Sequence, residues 1–177
     1  MSAAADGRAG IAADSTSPLF DRTGMAVAEF ASDYQKIRYY TNLVVRNAPA
    51  GIREVNLLEL QISELIKNAI KHGNKSDPEK KVKVFFSFSD SHAHLIVKDE
   101  GDGFAKLDEW NAFFKKRMEY FLARDYLNMT DYITFRTESS DDNDGGNALF
   151  AAVEFWNEGI VFTRERNCVA VRRKFRE

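Results

Sequence analysis

The segment from Glu59 to Asn74 reads ELQISELIKNAIKHGN and predicts a helix that has an apolar side and a polar edge. Glu64, Asn68 and His72 follow one another at four-residue intervals, so their side chains stack along one edge. The apolar residues recur at helical spacing and form a stripe that can lie on a β-sheet. This stripe consists of Leu58, Ile62, Leu65, Ile66 and Ala69.

The polar edge has the residue types of a metal-assisted reaction. The amide oxygen of Asn68 can coordinate a hard cation, and the carboxylate of Glu64 can orient or deprotonate a nucleophile. Because Lys67 and Lys71 lie beside them, an ordinary solvated helix surface explains the same residues equally well. Other motifs of the chain are needed to distinguish between the two interpretations.

The composition predicts one domain with a sizeable core, since the 177 residues are 44% hydrophobic and 12% aromatic. A formal net charge of -2 provides no overall field that would attract nucleic acid. The single cysteine, Cys168, lies in an apolar run, which indicates a buried thiol in a reducing compartment. No apolar run approaches the ~20 residues of a membrane-spanning helix, so we expect a cytoplasmic protein.

The chain divides into a tail and a folded region. Residues 1–22 are predicted to be a flexible tail, because small and polar residues predominate there. Residues 23–177 are predicted to form a single domain. Its expected elements are a strand over 23–30, a helix from Ser32 or Asp33 to about Asn47, the helix ending at Asn74, an antiparallel hairpin over 82–99, a long helix over 108–128, a helix after Gly146 and a terminal hairpin.

The predicted hairpin runs directly into the sequence DEGDGF, residues 99–104. Glycines at Gly101 and Gly103 indicate a backbone that turns sharply or approaches another group closely. An ordinary glycine turn remains the alternative at this point.

The helix over 108–128 is unusually aromatic, and its apolar side is expected to include Trp110, Phe114 and Phe121. Such a side is explained either by packing on this domain or by a surface for a partner or a second copy.

After a polar loop, Gly145, Gly146 and Asn147 precede the residues Ala148 and Leu149. Free backbone N–H groups at such a helix start can bind phosphate.

Together, these three segments resemble the GHKL ATPase superfamily and, within it, the bacterial anti-sigma factor and serine-protein kinase family. Glu64 and Asn68 match the E-x-x-x-N motif of its N-box, which continues to His72. The D-x-G-x-G motif is matched by Asp99, Gly101 and Gly103. The G-x-G-L motif aligns with the residues Gly146, Asn147, Ala148 and Leu149, with alanine in place of the second glycine.

The resemblance implies an α+β fold, a two-layer α/β sandwich in which helices cover one face of a mixed, mostly antiparallel sheet. It implies that ATP and Mg²⁺ are the cofactors, that Glu64 is the catalytic base and that Asn68 holds the metal. Asp99 would accept a hydrogen bond from the adenine amino group. Further nucleotide contacts are implied for His72, Gly101, Gly103, Gly145, Gly146, Asn147, Ala148 and Leu149.

The resemblance also implies regulatory protein partners, a sigma factor and an antagonist that is phosphorylated on serine or threonine, and it allows a homodimer. No direct contact with nucleic acid or a membrane is expected. The segment over about 106–143 is longer and more aromatic than the usual lid of the family and is interpreted as a long helical lid insertion. This departure, with Ala148, favours an alternative function as a non-catalytic nucleotide-binding or protein-docking module.

Overall fold

The computed structural model describes residues 10–136 and 147–176. They form one six-stranded sheet in which the spatial order is β1-β5-β6-β4-β3-β2. Strand β1 pairs with β5 in parallel, and the other pairs are antiparallel. The strands are β1 (Ala12–Ala13), β2 (Ala26–Ala31), β3 (Lys81–Phe88), β4 (His92–Lys98), β5 (Gly159–Phe162) and β6 (Cys168–Lys174).

The helices are connected to this sheet in the order that the sequence predicts. The Asp33 side chain accepts a hydrogen bond from the backbone N–H of Gln35 at 3.0 Å and so begins, at the expected place, the helical turn that leads into the first α-helix. The helices are α1 (Ile37–Val45), α2 (Val55–Asn68), α3 (Leu107–Leu122), α4 (Tyr126–Met129) and α5 (Ala148–Phe155), and a π-helical turn over Ala69–Gly73 continues α2.

The main core lies between one face of the sheet and the helices α1, α2 and α5. The alternation in β3 and β4 places Val84 and Leu95 in this layer, where both are fully buried, opposite Leu58 and Ile62 of α2. Each such side chain contributes about 1.5–3 kcal/mol when it leaves water. The predicted α+β fold with a mixed, mostly antiparallel sheet is confirmed.

The N-terminal segment differs from the sequence prediction. Residues 10–22 were expected to belong to a flexible tail, but β1 extends the sheet and Ile11 is only 2% exposed. Leu19 and Phe20 pack on the sheet face opposite α2, against a cluster that includes Cys168. The prediction is wrong here because a few apolar residues suffice when an existing sheet edge and face receive them.

The predicted long helix over 108–128 is divided in two. Helix α3 ends at Leu122, Arg124 has a φ of 56°, and Asp125 begins α4 by accepting a hydrogen bond from Asn128 N–H at 3.2 Å. A left-handed residue interrupts the helical hydrogen-bond ladder, so the two segments change direction. The predicted lid is therefore not one continuous helix, and its residues 137–143 lie outside the described part of the chain.

Helix α3 is anchored on the fold at its first half and exposed at its end. Trp110 is 1% exposed and stacks on Phe114 with ring centroids 5.0 Å apart. Asn111 clamps the N-terminal segment, since its amide accepts from Ile11 N–H at 2.8 Å and donates to Ile11 O at 2.9 Å. Phe121 is 52% exposed, so packing on this domain explains the first half of the aromatic side and not its end. Among the described residues, no helix is long and apolar enough to cross a membrane.

Candidate functional site

The end of α2 meets the loop over residues 99–104, which we call the DEGDGF loop, at a contact that only glycine allows. A Cβ atom on Gly73 would lie 2.4 Å from the carboxyl carbon of Asp99. A Cβ atom on Gly101 would lie 2.0 Å from the backbone oxygen of Gly73. Both distances are far below van der Waals contact, so these glycines are required by contacts within the chain itself.

The turn between β5 and β6 supports the DEGDGF loop from behind. Asp99 N–H donates to Asn167 O at 2.9 Å, and Phe104 N–H donates to Arg166 O at 3.0 Å. Gly103 has a φ of 91°, and a Cβ atom there would lie 2.0 Å from Glu165 O. The close approach that the sequence predicts is confirmed, and the group approached is the backbone of the terminal hairpin.

Asp99 is the most perturbed carboxyl group of this region. Burial raises its pKa to about 6, opposed by a hydrogen bond from Gly101 N–H at 2.8 Å and by the charge of Lys80. The Gly101 bond uses Oδ1, and no donor from the described part of the chain bonds to Oδ2. The Asp99 carboxylate is thus fixed in direction and has one oxygen that can accept a hydrogen bond from a ligand.

Asn74 is a buried polar residue that the sequence analysis did not identify as important. Its side-chain N–H groups donate to Ser32 Oγ at 2.8 Å and to Lys81 O at 2.9 Å. Its Oδ1 accepts from Glu100 N–H at 2.7 Å. Asn74 is fully buried and joins the end of α2 to β3 and to the DEGDGF loop. In the sequence, the sign of this role is a polar residue directly after Gly73, a position that was predicted only to be the end of the helix.

The polar edge of α2 carries an ion pair. Glu64 accepts a hydrogen bond from Lys67 Nζ, with its two oxygens 3.0 and 2.9 Å from that nitrogen. The two side chains are 26% and 21% exposed. Asn68 is half-buried at the last position of α2. His72 is exposed in the π-helical turn, whose wider winding removes it from strict four-residue register with Asn68.

The start of α5 is open to solvent. Asn147 and Ala148 are exposed, and the Asn147 side chain makes no capping hydrogen bond. Leu149 is half-buried against the cluster around Trp110 and Phe114. Gly145 and Gly146, which were also predicted to contact nucleotide, lie outside the described residues.

These residues can be compared with the needs of ATP and Mg²⁺. The Asp99 oxygen without a donor from the described residues fits a nucleobase amino group. Within residues 10–136 and 147–176, no cluster of three or more His, Cys, Asp or Glu side chains could hold a metal ion. An arrangement in which Asn68 is the protein ligand and phosphate oxygens and water complete the shell fits Mg²⁺, which usually keeps several waters beside substrate phosphates.

Comparison with known proteins places this site in a family. Residues 27–173 match the histidine kinase-like ATPase domain, over most of the chain. The chain belongs to this family. The predicted resemblance to GHKL ATPases is thereby confirmed, and the N-box helix and the DEGDGF loop of this histidine kinase-like ATPase domain both lie within the matched residues.

Curated relatives of this ATPase domain carry the name anti-sigma F factor. The protein from Shouchella clausii (strain KSM-K16) is 26% identical over 91 residues, which cover 51% of this chain and 62% of that protein. The protein from Geobacillus thermodenitrificans (strain NG80-2) is 40% identical over 58 residues, or 33% of this chain and 40% of that protein. The matches therefore span less than two thirds of either relative.

Proposed function

We propose that this ATPase domain binds ATP with Mg²⁺ and acts as a regulatory serine/threonine-protein kinase. The observation that carries the proposal is the Asp99 carboxylate, which is half-buried, oriented by Gly101 and left with one accepting oxygen. The names of the relatives support the regulatory part. Bound Mg-ATP would supply the γ-phosphoryl group that is transferred.

The nucleobase would be recognised by Asp99. Ionised Asp99 accepts a hydrogen bond from the amino group of adenine through Oδ2, whereas guanine presents a carbonyl oxygen at the corresponding position. Gly101 and Gly103 would keep side chains away from the base, and the Gly101 N–H holds the Asp99 carboxylate in place. The Asp99 carboxylate is held in one orientation by the Gly101 N–H, and it would therefore favour adenine over guanine.

Three groups of the chain would hold the metal ion, bind the phosphates of the nucleotide and activate the attacking hydroxyl. Asn68 would hold Mg²⁺ through its amide oxygen, and the backbone N–H groups at the start of α5, from Asn147 to Leu149, would bind phosphate oxygens. Gly145 and Gly146, outside the described residues, stay predicted contacts of the phosphates. Glu64 would accept the proton of the attacking serine or threonine hydroxyl while that oxygen bonds to the γ-phosphorus and the bond from this phosphorus to the β,γ-bridging oxygen breaks, with ADP as the leaving group. His72 borders the phosphate tail.

The partners follow from the names of the relatives and are part of the proposal. We infer that a sigma factor is bound and that an antagonist protein receives the phosphoryl group, in the cytoplasm and without direct contact with nucleic acid or a membrane. A homodimer is compatible with this role.

The proposal is tested by charge-matched variants of α2. We expect Glu64→Gln to lower phosphoryl transfer from labelled ATP to the antagonist by about a hundredfold or more, the scale of general-base catalysis. ATP affinity should change by less than about threefold, because a carboxylate near the phosphates does not hold them. Glu59→Gln is the control, since it removes the same charge from the same helix. Equal transfer by wild type and Glu64→Gln contradicts the role of Glu64.

A second function is favoured by the ion pair of Glu64 with Lys67 and by the exposed apolar end of α3 and α4. The Glu64 carboxylate is already engaged by Lys67 at 2.9 Å, and Leu127 is 81% exposed. Under this alternative, the domain binds nucleotide without catalysis and docks a protein on α3 and α4. Wild-type protein that binds ATP but transfers nothing to any antagonist would support it.

A further inference from the structure

We propose that the back of the sheet carries a second ligand site, which takes a small phosphate-type oxyanion. A concavity of about 200 Å³ lies behind the DEGDGF loop, on the face opposite α1 and α2. Water occupies about 30 Å³ per molecule, so the space admits such an ion together with water. The lining residues are Arg22, Lys98, Thr163, Glu165, Asn167 and Cys168.

Two cationic side chains face this concavity without a carboxylate partner. Arg22 and Lys98 are both exposed, and the Arg22 guanidinium lies 4.1 Å from the ring centroid of Phe85, at cation–π distance. Lys98 stands directly opposite Cys168 in the ladder between β4 and β6. Neither cation forms an ion pair within the described residues, in contrast to Lys83, the neighbour of Lys98 on β3, which pairs with Glu29 at 3.1 Å.

Hydrogen-bond donors accompany these charges. The Thr163 hydroxyl is buried and has no hydrogen-bond partner in the described part of the chain. A buried hydroxyl without a partner is costly, and an oxyanion oxygen in the concavity would accept a hydrogen bond from it. The side-chain amide of Asn167 donates to Gly101 O over a distance of 3.5 Å, which is long for a hydrogen bond. This amide N–H is therefore also available to a ligand.

The charge balance of the lining residues is positive. Burial raises the pKa of the Cys168 thiol to about 11, so it is uncharged at neutral pH and does not offset Arg22 or Lys98. Glu165 is the carboxylate among the lining residues, and it is exposed and pairs with neither cation. Two positive groups, one negative group and neutral donors therefore favour an anion with more than one charge.

The proposed oxyanion site does not depend on the proposed function. It lies behind the β4–β6 ladder, while Asp99 faces the end of α2. Asn167 is the link between them, since its backbone oxygen accepts from Asp99 N–H and its side chain lines the concavity.

The site can be tested by NMR on the full chain without nucleotide, with inorganic phosphate added at pH 8 and constant ionic strength. We expect saturable shifts of the Thr163, Asn167 and Cys168 amides with a Kd of about 1 mM. Acetate should bind at least about tenfold more weakly, because it carries a single charge. Absence of saturable shifts up to about 50 mM phosphate, or equal binding of acetate, overturns the proposal.

Three variants locate the binding. Thr163→Val removes the hydroxyl with little change in shape and should weaken phosphate binding about fivefold, the effect of one hydrogen bond. Lys98→Gln should weaken it about tenfold or more. Lys83→Gln removes the same charge from the adjacent strand and should stay within about twofold. An equal effect of Lys83→Gln and Lys98→Gln would show general attraction to a basic surface and overturn the site. Unchanged spectra elsewhere establish that each variant is folded.

Discussion

The part of the site proposed for the nucleobase, around Asp99, is held by contacts within the chain, whereas the described residues of the part proposed for the phosphates are partly or fully exposed. At Asp99, glycines allow backbone to meet backbone, and the buried Asn74 ties three segments together. At the phosphate end, Glu64 pairs with Lys67, and Asn147 and Ala148 are exposed. The comparison indicates a base site that is preformed and a phosphate site that a ligand would have to organise.

The largest change in stability is expected when one methyl group is added in the nucleobase part of the site. Gly101→Ala places a Cβ atom 2.0 Å from Gly73 O, where neither backbone can move away cheaply. We expect the free energy of unfolding to fall by about 4 kcal/mol or more. Denaturant unfolding measures this change.

The control for that experiment is Gly51→Ala, whose new Cβ atom would meet the end of the Asp90 side chain at 2.8 Å. A flexible side chain can turn aside, so we expect a change within about 0.5 kcal/mol. Similar losses for Gly51→Ala and Gly101→Ala would contradict the claim that the junction at Gly101 is specially close.

The next effect is expected at Asn74. Asn74→Ala removes three hydrogen bonds and takes a partner from the buried Ser32 hydroxyl and from the part-buried Glu100 N–H, so we expect a loss of about 2–4 kcal/mol. Asn47→Ala is the comparison, because Asn47 is exposed and bonds only to carbonyls of its own helix end, at 2.9 and 3.2 Å. It should cost less than about 1 kcal/mol. Equal losses in chemical denaturation would remove Asn74 as the connecting residue.

A gain in stability is expected at Asp99. The pKa of Asp99 in the folded protein, about 6, lies above its ordinary value of 3.8, so the folded state holds the proton more tightly. The free energy of unfolding therefore falls as pH rises from about 4 to 6. Asp99→Asn avoids this loss and should be more stable than wild type by about 1 kcal/mol at pH 8, after allowance for solvent screening, and no more stable at pH 4.

Thermal unfolding at the two pH values measures the effect of Asp99→Asn. Asp102→Asn changes an exposed carboxylate of the same loop and is the control for the loss of a negative charge there. A gain for Asp99→Asn that is equal at pH 4 and pH 8 would contradict the assignment of the effect to ionisation.

The smallest effect is expected at the phosphate end. Lys67→Gln breaks a partly exposed ion pair, which typically contributes less than about 0.5 kcal/mol. Lys36→Gln breaks a more exposed pair with Asp33, 3.4 Å long, and provides the reference. A loss of about 2 kcal/mol or more for Lys67→Gln in chemical denaturation would show that the part proposed for the phosphates is as rigid as the part proposed for the nucleobase.

The sequence was sufficient to predict the elements whose determinants lie close together in the chain. The helical spacing of Leu58 and Ile62 and the alternation of Val84 with its neighbours predict α2 and the hairpin, because each pattern reports one buried face. Asn74 could not be found in this way, since its partners Ser32 and Lys81 meet only in the fold. A bond between distant segments leaves no periodicity in the sequence.

The N-terminal segment and the lid show the same limit. Ile11 is separated by 100 residues from Asn111, and neither residue indicates the other in the sequence. Composition therefore predicted a flexible tail, although docking on a preformed edge orders residues 10–22. The roles of Glu64, Asn68, His72 and the turn over 145–149 stay predictions, because they concern a ligand rather than the contacts of the fold.

The central claim is that Asp99 reads the nucleobase from a preformed site, and isothermal titration of ATP and GTP with Mg²⁺ tests it directly. We expect wild type at pH 8 to bind ATP at least about tenfold more tightly than GTP, the effect of one buried hydrogen bond of ~1.4 kcal/mol. In Asp99→Asn, which the stability measurements will have shown to be folded, the preference should fall to about twofold or less. Equal binding of ATP and GTP by wild type, or an unchanged preference in Asp99→Asn, would contradict the account.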